Sequence, residues 1–236
     1  MIDIEKIYEE SYKHYNKAKK SLPIDFEKRA IFENASALSD VVPGYSAEKL
    51  DFGSYDNDKF AVVFIDIRQS TNRAQIIGSE KTFLSMHAFF SPILQVVEHY
   101  KGVVIDFMGD GLMAFFGGDS SELTKDESIK NAGLCGRDML LVISEVTNKI
   151  LENDGIVWGL SCGVGVAYGD VIITKIGTNE TFDVKAFGDC INDASKFSKG
   201  DNRVKVSKYI RNHWPAGKNG KISFSDDGEG YILHHV

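Results

Sequence analysis

Two carboxylates stand at the ends of strongly apolar stretches, Asp66 in Phe64-Ile65-Asp66-Ile67-Arg68-Gln69-Ser70-Thr71 and Asp110 in Phe107-Met108-Gly109-Asp110-Gly111-Leu112. The run Phe60 to Ile67 is β-branched and aromatic throughout, which predicts a buried strand, and a charge inside such a strand is costly unless it binds something. Gly109-Asp110-Gly111 separates two apolar runs and predicts a tight hairpin turn that lifts Asp110 to the sheet edge. Each aspartate alone has an ordinary explanation, Asp110 as a turn residue and Asp66 as a helix cap. The pair suits two hard divalent cations, and two such ions suit phosphate chemistry.

These side chains need a sheet to hold them and helices to cover it. Arg68 to Thr71 enter a predicted helix, whose positive end can hold terminal phosphates through the backbone amides of Arg68, Gln69, Ser70 and Thr71. Ser79 to Phe90 reads as a helix, and Ser91-Pro92 as the N-cap and first position of a new one. Thr124-x-x-Glu127 is a capping box opening a long helix with Ile129, Ala132, Met139, Ile143 and Ile150 on one side. Trp158 to Ala167, Val171 to Ile176 and Thr181 to Phe187 read as three strands. Asp189 to Ser198 reads as a helix that presents Asn192 and Lys196 at i and i+4, and the last strands fall near Lys221 to Phe224 and Tyr231 to His234.

A third block, Gly163-Val-Gly-Val-Ala-Tyr-Gly-Asp-Val followed by Phe187-Gly188-Asp189-Cys190-Ile191-Asn192-Asp193-Ala194-Ser195-Lys196, completes a pattern. In order and spacing the three blocks resemble the catalytic domain of the class III nucleotidyl cyclases, over roughly residues 58 to 210. The resemblance implies an α+β fold, a ferredoxin-like or palm βαββαβ core, dimerising head to tail so that two composite sites form. It implies attack of a nucleoside triphosphate's 3′-hydroxyl on its own α-phosphate, giving a 3′,5′-cyclic nucleotide and pyrophosphate. Asp66 and Asp110 fall on the metal-binding aspartates of that family, for two Mn²⁺ or Mg²⁺ ions. Ile67 falls on the position that lends a backbone carbonyl, and Asn192 on the one that orients the ribose from the other protomer.

The chain departs from the family at three places. Four residues before Asp110, where adenylate cyclases of the family carry a base-selecting Lys, stands Asp106; three residues before Gly188, where they carry an Asp, stands Lys185. This swap matches a base that offers an N–H donor beside a carbonyl acceptor, as uracil and guanine do, and mismatches adenine and cytosine. Asp106 and Lys185 can also simply pair with each other. Lys196 replaces the family's transition-state Arg, keeping the charge but losing the planar fork. The short helical leader and the selector pair resemble the bacterial pyrimidine cyclases of antiphage Pycsar systems, which favours UTP and a cyclic UMP product read by a separate effector.

The chain has 236 residues, 43% of them hydrophobic, and a net charge of −7. That permits one substantial core and argues against a nucleic-acid surface. No run reaches the roughly 18 apolar residues of a membrane span, and the N-terminus lacks a signal pattern, so a cytoplasmic protein is expected. Cys135, Cys162 and Cys190 lack metal or disulfide spacing and predict free thiols. Residues 1 to 55 are expected to form a helical extension and 56 to 236 the catalytic domain. In the extension Ile4, Ile7, Tyr8, Tyr12 and Tyr15 recur at helical spacing up to Pro23, and a second helix is expected from Asp25 to Asp40. His87 and His99 are expected to pack or cap, His234 and His235 to be exposed, and Lys218 or Lys221 to reach a phosphate at most weakly. Readings from other classes are a degenerate nucleotide-binding or dimerisation module, and a palm relative such as a diguanylate cyclase or polymerase, whose signatures are missing.

Overall fold

The computed structural model describes residues 2–22, 42–215 and 220–235. The expected helix over 25–40, Pro23 and Lys218 lie outside them.

The β-branched run forms β1 (Tyr55–Ile67), the centre of the sheet, paired antiparallel with β3 (Gly111–Gly117) on one side and β4 (Cys162–Gly177) on the other. Its unbroken apolar character follows from both faces being covered. Ala61, Val63, Ile65 and Ile67 enter one core cluster, and Phe60, Val62 and Phe64 enter another on the opposite face. The first core lies under α1 (Ile4–Ser21), α3 (Ser79–His99) and α4 (Lys125–Val142). The second lies under α6 (Asp189–Phe197) and the segment carrying Val42, Ala47 and Leu50. With α2 (Ser70–Ile77), β2 (Val103–Met108) and α5 (Asn148–Asn153), these elements give the βαββαβ core. β5 (Phe182–Phe187) pairs only with β4, as an arm off the main path. Beyond β4 come β6 (Arg203–Val206), α7 (Lys208–Asn212), β7 (Ile222–Asp226) and β8 (Tyr231–His235), and the sheet path reads β2-β3-β1-β4-β6-β8-β7. The fold is the α+β palm that the motifs imply, preceded by a helix.

Two expectations change. Pro92 starts no new helix: α3 runs through it unbroken. Proline lacks the N–H that would reach the carbonyl of Ala88, four residues back. Thr147 supplies the replacement, its Oγ1 donating to that carbonyl at 3.0 Å. Thr147 sits in a five-residue π segment, Ile143–Thr147, inserted between α4 and α5, so a local irregularity in one helix repairs a missing bond in another. The expected strands Trp158–Ala167 and Val171–Ile176 are one strand, β4. Gly169 and Asp170 do not interrupt it, because β1 pairs with it continuously from Tyr55↔Thr174 to Ile67↔Cys162. Trp158 to Ser161 lie before it. β6 and α7, for which the sequence offered no signal strong enough, complete that end.

The capping box at Thr124 and Glu127 forms as expected, with the Thr124 N–H donating to Glu127 at 2.9 Å. The three cysteines are free and buried. His234 is exposed and bonds Ser225; His87 is also exposed on α3, its ring edge-on to Phe83, with its pKa lowered by partial desolvation and by His14. In the leader, Ile7, Tyr15 and Ala18 of α1 join the first core against α3, while Tyr12 is exposed.

Candidate active site

Asp66 lies on the same face of β1 as Phe60, Val62 and Phe64, one step past the point where the second core ends, opposite Gly111 on β3 and Gly163 on β4. The two-residue turn Gly109-Asp110 joins β2 to β3, with Met108 paired to Gly111. Gly109 has φ +68°, as the first position of a type II′ turn requires. The Ile67 N–H donates to the Asp110 carbonyl at 3.3 Å, so the strand end and the turn are tied together and both aspartates are set by backbone pairing.

Gln69 N-caps α2 in the left-handed region at φ 52°, with no side-chain cap bond. The first-turn amides of Ser70 and Thr71 have no partner within the helix. The Arg68 N–H is not among the open amides, because it donates to the Ser161 carbonyl at 2.8 Å. The Arg68 side chain turns back instead. It forms an ion pair with Asp66 and donates to the Lys199 carbonyl at 3.1 Å, while its Nε is buried without a partner. Ile67, Ser70, Thr71, Gly109 and Asp110 share a cavity of about 220 Å³.

The donors fit hard divalent cations. Among the described residues no three His, Cys, Asp or Glu side chains gather into a cage, but Mg²⁺-type sites that serve phosphates commonly use one or two carboxylates and take the remaining oxygens from substrate and water. Asp66 already draws a cationic group, Arg68.

The other named residues lie elsewhere. Cys190, Ala194 and Phe197 pack α6 down, leaving Asn192 and Lys196 exposed on its outer side, their side chains without a hydrogen-bond partner among the described residues. α6 rests almost directly on β4 at Gly165, where a Cβ would collide with the Ala194 carbonyl, and the turn that follows α6 does the same at Gly163, where a Cβ would meet the carbonyls of Ser198 and Gly200. Asp106 is on β2 and Lys185 on β5. They do not pair: Lys185 bonds Asp183, two residues back on the same face, at 2.6 Å. Its pKa is raised, first by that hydrogen bond and less by the charges of Asp183 and Asp106, against the opposing effect of burial. Sequence reasoning missed Asp183, whose Asp-x-Lys spacing on a strand was the available signal, and it passed over Arg73 of α2.

The sequence model of the Adenylate and Guanylate cyclase catalytic domain matches residues 53–231, and the chain belongs to that family. Among relatives, a uridylate cyclase of Gulbenkiania mobilis is 28% identical over 165 residues, covering 67% of this chain and 62% of that one. An uncharacterised Mycobacterium tuberculosis protein is 27% identical over 137 residues, covering 58% of this chain; the match spans only 22% of its length. The adenylyl cyclase CyaB from P. aeruginosa superposes with TM-score 0.67 at 21% identity, covering 78% of this chain and 96% of that one. A dimeric guanylyl cyclase domain from the fungus Blastocladiella emersonii superposes with TM-score 0.61 at 13% identity, covering 77% and 97%. These two show the shared fold. No helix among the described residues is long and apolar enough to cross a membrane.

Proposed function

We propose that this chain is a nucleotidyl cyclase that converts UTP to cyclic UMP and pyrophosphate, with residues 56–236 as the catalytic domain and 1–55 as a helical extension. One observation carries the reading above all: Asp66 lies at the end of β1 and Asp110 sits on the turn hydrogen-bonded to that end, the latter sharing a cavity with the first turn of α2. Two divalent cations held by Asp66, Asp110 and the Ile67 carbonyl would acidify the 3′-hydroxyl and neutralise phosphate charge. In the reaction the 3′-oxygen bonds to the α-phosphorus, the bond to the leaving pyrophosphate breaks, and the hydroxyl proton passes to water. The amides of Ser70 and Thr71 hold the terminal phosphates; positioning of this kind is most of what phosphoryl transfer needs. Asn192 orients the ribose, and Lys196 meets the charge that develops on the phosphate.

Asn192 and Lys196 act from the partner protomer of a homodimer. Exposed apolar side chains on β4 and β5, namely Ile172, Ile176, Phe182 and Phe187, with Met108 on β2, support a protein partner. Asp106 accepts from the base N–H, and Lys185 donates to its carbonyl. The uridylate cyclase relative supports uracil, and a cyclic UMP signal would suit an effector in antiphage defence in the cytoplasm. Guanine offers the same hydrogen-bond edge and is the second reading.

The test is incubation of the purified chain with Mn²⁺ and each of ATP, GTP, CTP and UTP, followed by mass spectrometry. Cyclic UMP is the expected product. Cyclic GMP would keep the role of Asp106 and Lys185 and reject uracil; cyclic AMP or CMP would reject both. No product from any triphosphate would favour a nucleotide-binding module without chemistry.

A further inference from the structure

Arg73 is the one buried residue of α2, where a short helix packed on its neighbours ordinarily turns an apolar side chain inward. It is 7% exposed. Its Nε and Nη2 both donate to the Trp158 carbonyl, at 2.9 and 2.7 Å. Nη1 has no partner among the described residues, yet it is not sealed in as the Arg68 Nε is. No carboxylate among the described residues pairs with the guanidinium. Burial lowers its pKa, although an arginine stays charged in practice. A buried cation without a counter-charge is expensive, and a carbonyl tether alone would be served as well by a neutral donor.

The space beside Arg73 shows what can offset that cost. It borders the same cavity of about 220 Å³, with Ser70 and Thr71 on one wall and Asp110 on another. The hydroxyls, the first-turn amides of α2 and the guanidinium are donors, Asp110 is the single carboxylate in the lining, and Ile67, Ala74, Met86 and Leu160 make much of the rest apolar. A mostly apolar pocket in which the donors are few and one fixed positive charge lies within reach suits a compact anion with several oxygens, because the apolar lining leaves that charge little else to pair with.

We propose that Arg73 is a binding residue for the terminal phosphates of the substrate and for the pyrophosphate product, gripping them from within the fold through Nη1. The identity of the anion rests on the cyclase reading; the anion-binding role of Arg73 does not. Trp158 acts through its backbone as the anchor that aims the fork, since it holds two of the three nitrogens.

The experiment is calorimetric titration of inorganic pyrophosphate, with Mg²⁺ present, into the full chain and into Arg73→Gln and Arg73→Lys. Arg73→Gln is expected to weaken binding about tenfold or more, and Arg73→Lys, which keeps the charge but not the fork, several-fold. The KM for the triphosphate and the inhibition constant of pyrophosphate should rise together, with kcat less affected. A pyrophosphate affinity unchanged in either folded variant overturns the proposal, and if Arg73→Gln does not fold, Arg73→Lys decides alone. Arg73-dependent binding in a chain that cyclises no triphosphate would sink the cyclase reading and leave this one standing. Cyclisation with unaltered pyrophosphate affinity would do the reverse.

Discussion

The two carboxylates at the strand end and the pair proposed to select the base, Asp106 and Lys185, are built differently. Asp66 and Asp110 belong to the middle of the sheet, on a strand whose residues from Phe60 to Ile65 are all buried and on the turn tied to its end. Asp106 and Lys185 ride on β2, which is half-exposed along most of its length, and on β5, an arm held only by β4. One half is positioned by the core before any ligand arrives. The other lies on strands that the core covers only in part, an arrangement that the proposed composite sites of a dimer would complete.

The largest test removes the core-set half. Asp66→Asn or Asp110→Asn should lower turnover roughly a thousandfold while the circular dichroism spectrum and the oligomer remain as they are; near-wild-type turnover in either would break the assignment. Next comes the dependence on a partner. Asn192→Ala should cost about a hundredfold, and mixing it with inactive Asp110→Ala should restore a measurable fraction of activity, because one interface then carries both intact halves. No recovery on mixing, with subunit exchange shown, would place all the machinery within one protomer.

Changing the peripheral half should alter preference more than rate. The double change Asp106→Lys with Lys185→Asp is expected to move selectivity toward ATP by about tenfold or more, read as the ratio of kcat/KM values. Unmoved selectivity would leave the base selector elsewhere.

The smallest effects concern the scaffold. Thr147→Val strands the Ala88 carbonyl that Pro92 leaves open, at a cost of about 2 kcal/mol in denaturant unfolding. Asp154→Asn should cost about 1 kcal/mol near neutral pH. Burial works to raise the Asp154 pKa, but hydrogen bonds from Lys19 and Tyr15 outweigh it and hold the carboxyl below its ordinary 3.8. Its contribution is therefore present above that value and lost as pH falls through the folded pKa. The variant should show a flatter acid limb than the wild type.

The same division governs what could be read in the sequence. β1, the Gly109-Asp110 turn, the capping box at Thr124 and α6 were legible because each is fixed by local pattern or turn chemistry. α3 was misread at Pro92, since the bond that rescues it comes from Thr147, 55 residues away in sequence. β4 was divided at Gly169 because its continuity depends on pairing with β1, which no local window contains. Arg73 escaped notice for a related reason: a charged residue in a polar helix looks solvated until the fold turns it inward.

The seat of α6 on bare glycine backbone has a mechanical side. With no side-chain layer between α6 and β4 at Gly165, or between β4 and the turn after α6 at Gly163, little there can compress or shear, and the helix and strand are placed to move as one lever. On the proposed roles, a movement bringing Asn192 and Lys196 toward a partner's phosphates would carry β4, and the β5 strand paired to it, along the same arc. Base capture and ribose alignment would then be a single stroke.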